Sequence, residues 1–239
     1  MENLKAKVAL VTGGSKGIGY GIAQALANKG LKVAITGRNK ESIETASAEL
    51  SQNTGSEVLG IQADVRVFED LQAVVKKINE KWGEIGVVVA NAGVGHYSPI
   101  DELTLEDWQR TIDTNLTGVF HTVKASVEDL KKSQGYLITI SSLAGTNFFP
   151  NGAAYNASKF GLTGFTQAVM LDLRDYGVKV STIMPGSVAT YFNDNTPTEK
   201  DSWKIQKEDL GQMVVDLLEM NPRTLPSKIE VRPTQPPKK

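Results

Sequence analysis

Tyr155 and Lys159 stand four residues apart in YNASK, a spacing that puts both side chains on one face of a helix, about one turn from each other. A phenol with its ordinary pKa of about 10 is a poor proton shuttle at neutral pH, and a neighbouring ammonium favours the phenolate and lowers that pKa. Ser142 lies thirteen residues before Tyr155, just after an apolar run, where its hydroxyl can hydrogen-bond a substrate carbonyl; Ser141 competes for that role. Asn115 falls inside a helical pattern in NLTG, where asparagine is mildly unfavourable and needs either solvent or a task. The chemistry open to this set is proton transfer to or from an oxygen.

A second constellation comes first in the chain. TGGSKGIG (12–19) places Gly13, Gly17 and Gly19 after an apolar run and before a helix with Ile18, Ile22 and Leu26 inward and Gly30 past its end. Such a turn lets the backbone approach a pyrophosphate, and the helix N-terminus offers it free N–H groups and a partial positive charge. An NAD-specific site adds an acid about 20 residues further on, after the second strand, for the adenosine ribose. This chain has Gly37, Arg38 and Asn39 there. Arg38, with Lys16 inside the turn, suits a 2′-phosphate, so NADP(H) is the expected cofactor.

These residues need a scaffold, and the chain alternates short β-branched runs with long helical patterns. Strands are expected at 7–12, 32–36, 58–63, 86–91, 136–141, 178–184 and 228–231. Most lack polar alternation, as strands buried on both faces do. The expected fold is α/β, a doubly wound Rossmann fold with about seven parallel strands and helices on both faces. One helix should start at Thr104, with Asp107 completing a capping-box variant, and bury Trp108, Ile112, Leu116, Val119, Phe120, Val123, Val127 and Leu130. Another should run over 153–176 and bury Leu162, Phe165, Val169 and Leu173. Residues 1–232 form a single domain, and the proline- and lysine-rich 233–239 should be a disordered tail.

Composition narrows the alternatives. The 239 residues are 40% apolar and 22% charged with net charge -1, so no positive field exists to track a phosphate backbone and no nucleic-acid partner is expected. There is no cysteine, which removes disulfides, iron–sulfur clusters and thiol catalysis, and only His96 and His121 could offer imidazole, so no metal site is expected. The apolar run Val8–Val11 is too short for an export signal, and no stretch approaches the roughly 20 residues that cross a bilayer, so the expected location is cytoplasmic.

Together TGGSKGIG, NAG (91–93), NLTG, Ser142, YNASK and PGSVAT (185–190) resemble the short-chain dehydrogenase/reductase family, in its order and over nearly the whole chain. The resemblance, to the short branch holding 3-oxoacyl-acyl-carrier-protein reductases and carbonyl reductases, implies an NADP(H)-dependent oxidoreductase that reduces a carbonyl to an alcohol. It implies that Tyr155 exchanges the proton, Lys159 holds the nicotinamide ribose and lowers the tyrosine pKa, Ser142 polarises the carbonyl, and Asn115 binds a relay water. It further implies that Gly13, Ser15, Lys16, Gly17, Ile18, Gly19 and Arg38 hold the phosphates and that Asp64 and Val65 contact adenine. Asn91, Ala92 and Gly93 would line the cofactor; Pro185, Gly186, Val188 and Thr190 would flank the nicotinamide.

The last quarter departs from these relatives. Only about 20 residues separate Gly186 from the helical pattern near Glu208, which implies a short lid, and KIEVRP replaces a glycine-rich C-terminal segment. A homodimer or homotetramer is expected, with the helices starting near Thr104 and Ala153 as a contact surface. Gly95, His96, Tyr97, 147–149, Tyr191 and Phe192 are candidates to face the substrate, a small-molecule carbonyl or alcohol of apolar or aromatic character. The competing readings are an NAD-dependent alcohol dehydrogenase and a non-catalytic dinucleotide-sensing protein.

Overall fold

Alternate residues of the first strand explain why its run is apolar on both sides. Ala9 and Val11 pack with Ile22, Leu26 and Val214, whereas Val8 and Leu10 pack with Val74, Ile78, Val119 and Leu162. The computed structural model describes residues 7–235. Seven strands, β1 Val8–Thr12, β2 Lys32–Gly37, β3 Val58–Gln62, β4 Ile85–Ala90, β5 Tyr136–Ile140, β6 Lys179–Pro185 and β7 Lys228–Val231, form one sheet in the order β3-β2-β1-β4-β5-β6-β7. Every neighbouring pair is parallel. Helices α1 (Gly17–Asn28), α2 (Lys40–Thr54) and α7 (Lys207–Glu219) cover one face; α3 (Phe68–Trp82), α5 (Gly118–Ser133) and α6 (Ala153–Leu173) cover the other. The strand order turns back between β1 and β4, and open sheets of this kind bind ligands beyond the carboxyl ends of the strands at that switch point.

The helix expected from Thr104 is not uniform. Helix α4 (Leu105–Ile112) runs into a π turn, Asp113–Thr117, before α5, and the Gly118 N–H bonds the Asp113 carbonyl five residues back. Thr104 caps α4 as expected, accepting the Asp107 N–H at 3.0 Å while donating to Asp107 Oδ2 at 2.8 Å. Val119, Val123 and Leu130 of the expected apolar stripe are buried, but the stripe is corrected at two positions. Trp108 and Phe120 are exposed, while Thr111, Asn115, Thr122 and Ser126 are buried. Burial of the three hydroxyls is tolerable because Thr111, Thr122 and Ser126 donate to carbonyls one turn earlier in their own helix, at 2.7, 2.8 and 2.7 Å.

Helix α6 continues into a 3-10 turn, Arg174–Tyr176, and ends at Gly177 with φ 74°. Its buried face carries Tyr155, Ser158, Lys159, Leu162 and Thr166; Phe165 and Val169 are only partly buried. After β7 the chain passes Pro233, whose Cδ lies 3.5 Å from a Cβ built on Gly186. The remainder of the expected tail, 236–239, lies outside the described residues. Among the described residues no helix is long and apolar enough to cross a membrane.

Candidate active site

The glycine turn follows β1 and the NAG segment follows β4, so the two adjacent strands deliver them side by side. Thr12 fastens them: its hydroxyl accepts the N–H groups of Asn91 and Ala92 at 3.1 and 3.2 Å, and Asn91 Nδ2 donates to the carbonyls of Thr12 and Gly13 at 2.9 and 3.1 Å. Gly13 and Gly17 have φ of 67° and 58°, which favour glycine. No side chain caps α1 and no acid stands in its first turn, so its leading N–H groups stay open to an anion. A pyrophosphate fits this cradle. Gly13, Lys16, Gly17, Ile18 and Gly19 thus surround one helix start, with Ser15 reaching toward Gly37 at the end of β2. Arg38 is exposed beyond β2 and makes no guanidinium hydrogen bond or ion pair among the described residues; the Lys16 ammonium lies 5.8 Å from the Tyr191 ring.

A lid covers the turn. Val188 and Ile205 form a parallel bridge, with Ala189 N–H to Ile205 O at 2.9 Å and Ile205 N–H to Ser187 O at 3.1 Å, which folds 186–206 back on itself. Thr190 approaches Gly17, its Cβ 3.4 Å from a Cβ built there. A cavity of about 400 Å³ opens between lid and turn, lined by Ser15, Lys16, Gly17, Thr190 and Tyr191 among others. Pro185 and Gly186 lie at the lid's root, where the Gly186 N–H bonds Val231 O at 2.8 Å.

The four residues with chemistry converge beyond β4 and β5. Two of them meet at Gly93: a Cβ built on it lies 3.3 Å from Asn115 Oδ1 and 3.8 Å from Lys159 Nζ. Asn115 is fully buried, and its side chain spans the Val94 backbone, accepting the N–H at 2.8 Å and donating to the carbonyl at 2.9 Å and to Ser158 Oγ at 3.1 Å. Its amide is therefore committed to protein groups. Ser142 caps the short turn Leu143–Gly145, accepting the Ala144 N–H at 3.1 Å, and its hydroxyl stands near enough to the Tyr155 phenol to favour the ionised form. Ser141 bonds Lys159 O and Thr163 Oγ1 at 3.2 and 3.1 Å, on the structural side of α6, which leaves Ser142 as the serine at the phenol. Asn156 Nδ2 ties that loop to α6 through Ala144 O and Asn147 O, both at 2.8 Å. Thr12, Asn156 and Ser158 escaped the sequence reading because a polar residue that satisfies backbone groups has no spacing signature.

The electrostatics differ from the simple tyrosine–lysine expectation. Burial, and after it Tyr97, pushes the Tyr155 phenol above its ordinary range, with the Ser142 hydroxyl pulling the other way. Lys159 does not offset this. Its ammonium donates to Ile140 O at 2.9 Å and lies 5.7 Å from the Tyr155 ring centroid, and burial pushes its own pKa down to about 8. Below pH 8 the folded chain therefore holds a buried charge at a cost, and between about 8 and 10.5 the unfolded chain binds a proton that the folded chain releases, so this group raises stability as pH rises. Lys159→Met should consequently be more stable than wild type by about 2 kcal/mol at pH 7, an advantage that fades toward pH 10. Urea unfolding at both pH values measures it, and a pH-independent difference would contradict the buried charge.

Around the phenol stands an aromatic cluster. Tyr97 and Phe192 reach Tyr155 with ring centroids 5.4 and 5.8 Å away, and Phe149 meets Tyr97 at 5.6 Å. Gly95 makes room for it, since a Cβ there would lie 2.5 Å from Phe192 Cε1. The other candidates for the substrate face lie apart: Phe148 is 87% exposed, and His96 Nδ1 sits 3.5 Å from Asp107. Asp64 and Val65 follow β3, beside the end of β2; Val65 is buried with its carbonyl 3.0 Å from His121 Nδ1, and the Asp64 carboxylate is held by Arg66.

The profile of the short chain dehydrogenase family matches residues 7–201, an interval that holds the chain from β1 through most of the lid and leaves out α7 and β7. The chain belongs to the short-chain dehydrogenase family. It is 40% identical over 201 residues to the 3-oxoacyl-[acyl-carrier-protein] reductase of Synechocystis sp., covering 83% of this chain and 81% of that one. An uncharacterized oxidoreductase of Staphylococcus saprophyticus is 33% identical over 234 residues, 98% of this chain and 100% of its own. The solved alcohol dehydrogenase from the archaeon Thermococcus sibiricus, complexed with 5-hydroxy-NADP, superimposes with TM-score 0.91 at 31% identity, covering 98% and 99% of the two chains. This short-chain dehydrogenase is thus an oxidoreductase of the class acting on CH–OH and C=O groups.

Proposed function

We propose that the protein is an NADP(H)-dependent reductase of small-molecule ketones, aldehydes or 3-oxoacyl compounds, with Tyr155 as proton donor and Lys159, Ser142 and Asn115 completing the site. The observation that carries this reading is the Tyr155 phenol, buried beside Ser142 at the carboxyl edge of the sheet and one helical turn from Lys159 on the inner face of α6. A protonated phenol is the form a reduction needs, because the carbonyl oxygen gains a proton as it becomes an alcohol. A bound nicotinamide dinucleotide supplies the hydride. Ser142 would orient the carbonyl, and Lys159, beside Gly93, would hold the nicotinamide ribose. Asn115, its side chain committed to Val94 and Ser158, would hold a relay water through its main chain and fix the NAG segment through its amide.

The donors at the adenosine end support NADP(H). Among the described residues Arg38 stands without a protein partner for its guanidinium, Lys16 is exposed in the turn, and Gly37, Arg38 and Asn39 at the end of β2 include no acid. Tyr97, Phe149 and Phe192 around the phenol support an apolar carbonyl compound. Exposed Leu105, Phe120, Phe160 and Leu171 on α4, α5 and α6 support a homodimer or homotetramer built on those helices. Arg38→Asp tests the cofactor assignment: preference should swing from NADPH toward NADH, by about a hundredfold in the ratio of kcat/KM, since an attractive charge is replaced by a repulsive one. An unchanged ratio would remove the 2′-phosphate from this position.

A further inference from the structure

The ends of β2 and β3 are paired as Gly37 with Gln62, the Ala63 N–H donates to Gly37 O at 3.0 Å, and Gln62 Nε2 donates to Arg38 O at 3.0 Å. Asp64 therefore emerges beside Arg38, at the end of the cradle assigned above to the adenosine. A carboxylate there is a hazard for a 2′-phosphate: it repels the dianion, and it is a ready partner for the arginine meant to receive it. In this chain the carboxylate is already taken. Arg66 Nε lies 3.0 Å from both Asp64 oxygens, Nη2 lies 2.6 Å from Oδ2, and the Arg66 N–H donates to Oδ1 at 3.0 Å. The Asp64 N–H is in turn held by Asp70 Oδ2 at 2.9 Å, which fixes the loop from which the pair projects.

We propose that Arg66 is a positioning residue for cofactor choice: its fork holds the Asp64 carboxylate away from Arg38, and so leaves the Arg38 guanidinium to a 2′-phosphate. The inference rests on the NADP(H) reading. A two-point arginine grip fixes the carboxylate in a way that a single ammonium does not. Arg66 is also the main influence holding the Asp64 carboxyl below its ordinary range, with Arg38 a smaller one, so both cations lie within reach of the same acid. The pair is partly exposed, with side-chain exposures of 37% and 20%, so solvent weakens it and the effect is one of selectivity more than of folding.

Affinities for NADPH and NADH, measured by calorimetry on the full chain without substrate, test this in wild type, Arg66→Gln, Arg66→Lys and the double variant Asp64→Asn/Arg66→Gln. Arg66→Gln should weaken NADPH about five- to tenfold and NADH less than about twofold. Removing the released carboxylate in the double variant should return the NADPH to NADH ratio close to wild type, and Arg66→Lys should fall between. The ratio is the readout because any contact of Asp64 with adenine is common to both dinucleotides. Equal weakening of both, an unchanged ratio in Arg66→Gln, or a double variant that stays unselective overturns the proposal. A wild type that binds NADPH no better than NADH overturns the cofactor reading itself, and does so before any variant is made.

Discussion

Tyr155→Phe should lower kcat at least about a thousandfold while leaving NADPH affinity and thermal stability close to wild type. The variant keeps the ring that packs against Tyr97 and Phe192 and loses only the hydroxyl. What remains is positioning without a proton donor of the right geometry, since Ser142 is an alcohol of much higher pKa and Lys159 is turned onto Ile140 O. Ser142 keeps the Ala144 N–H as a donor to its oxygen at 3.1 Å, so the loop should hold. Initial rates with a good carbonyl substrate, together with NADPH titration, check both halves. Retention of more than about a tenth of wild-type kcat would assign the proton elsewhere.

Gly19→Ala carries the second large effect, on the cradle. A Cβ at Gly19 would lie 2.3 Å from Gly13 O and 2.5 Å from Asn91 Nδ2, and neither group can yield without disturbing the turn or the NAG segment fastened by Thr12. Overpacking against backbone costs about 3 kcal/mol, which for a chain of this size lowers Tm by roughly 10 °C. NADPH affinity should drop more than tenfold with it, because the start of α1 must move away from the anion it is placed to receive. Gly164→Ala is the matched control. Nothing lies within 4 Å of a Cβ there and the residue is inside α6, so the change should leave Tm unchanged or raise it. Thermal melts and NADPH titration of the two variants separate a tight approach from a generic glycine effect.

The sequence was most legible where local spacing carries the physics. Apolar runs without alternation marked the parallel strands, glycines marked the turn after β1, and the four-residue step from Tyr155 to Lys159 placed both on the inner face of α6. It was least legible where a tertiary partner decides. The π turn at Asp113–Thr117 is invisible to a count of threes and fours, and Asn115 within it is buried while Phe120 just beyond it is exposed. The lid's Val188–Ile205 bridge joins residues seventeen apart, with no local signal. The phenol offers the sharpest contrast. Proximity in sequence pointed to a lysine lowering its pKa, whereas burial beside Tyr97 raises it and burial lowers the lysine instead. Desolvation belongs to the whole fold and has no residue pattern.

Carbonyl reduction with Tyr155 as the proton donor is tested most directly by turnover. Purified protein is mixed with NADPH and a panel of ketones, aldehydes, diketones, quinones and 3-oxoacyl thioesters, following NADPH consumption by absorbance and the alcohol by chromatography. The account predicts that at least one class consumes NADPH with one alcohol formed per NADPH, and that Tyr155→Phe abolishes this consumption while still binding NADPH. NADPH that binds but is consumed with no member of the panel, as a dinucleotide sensor would show, contradicts it.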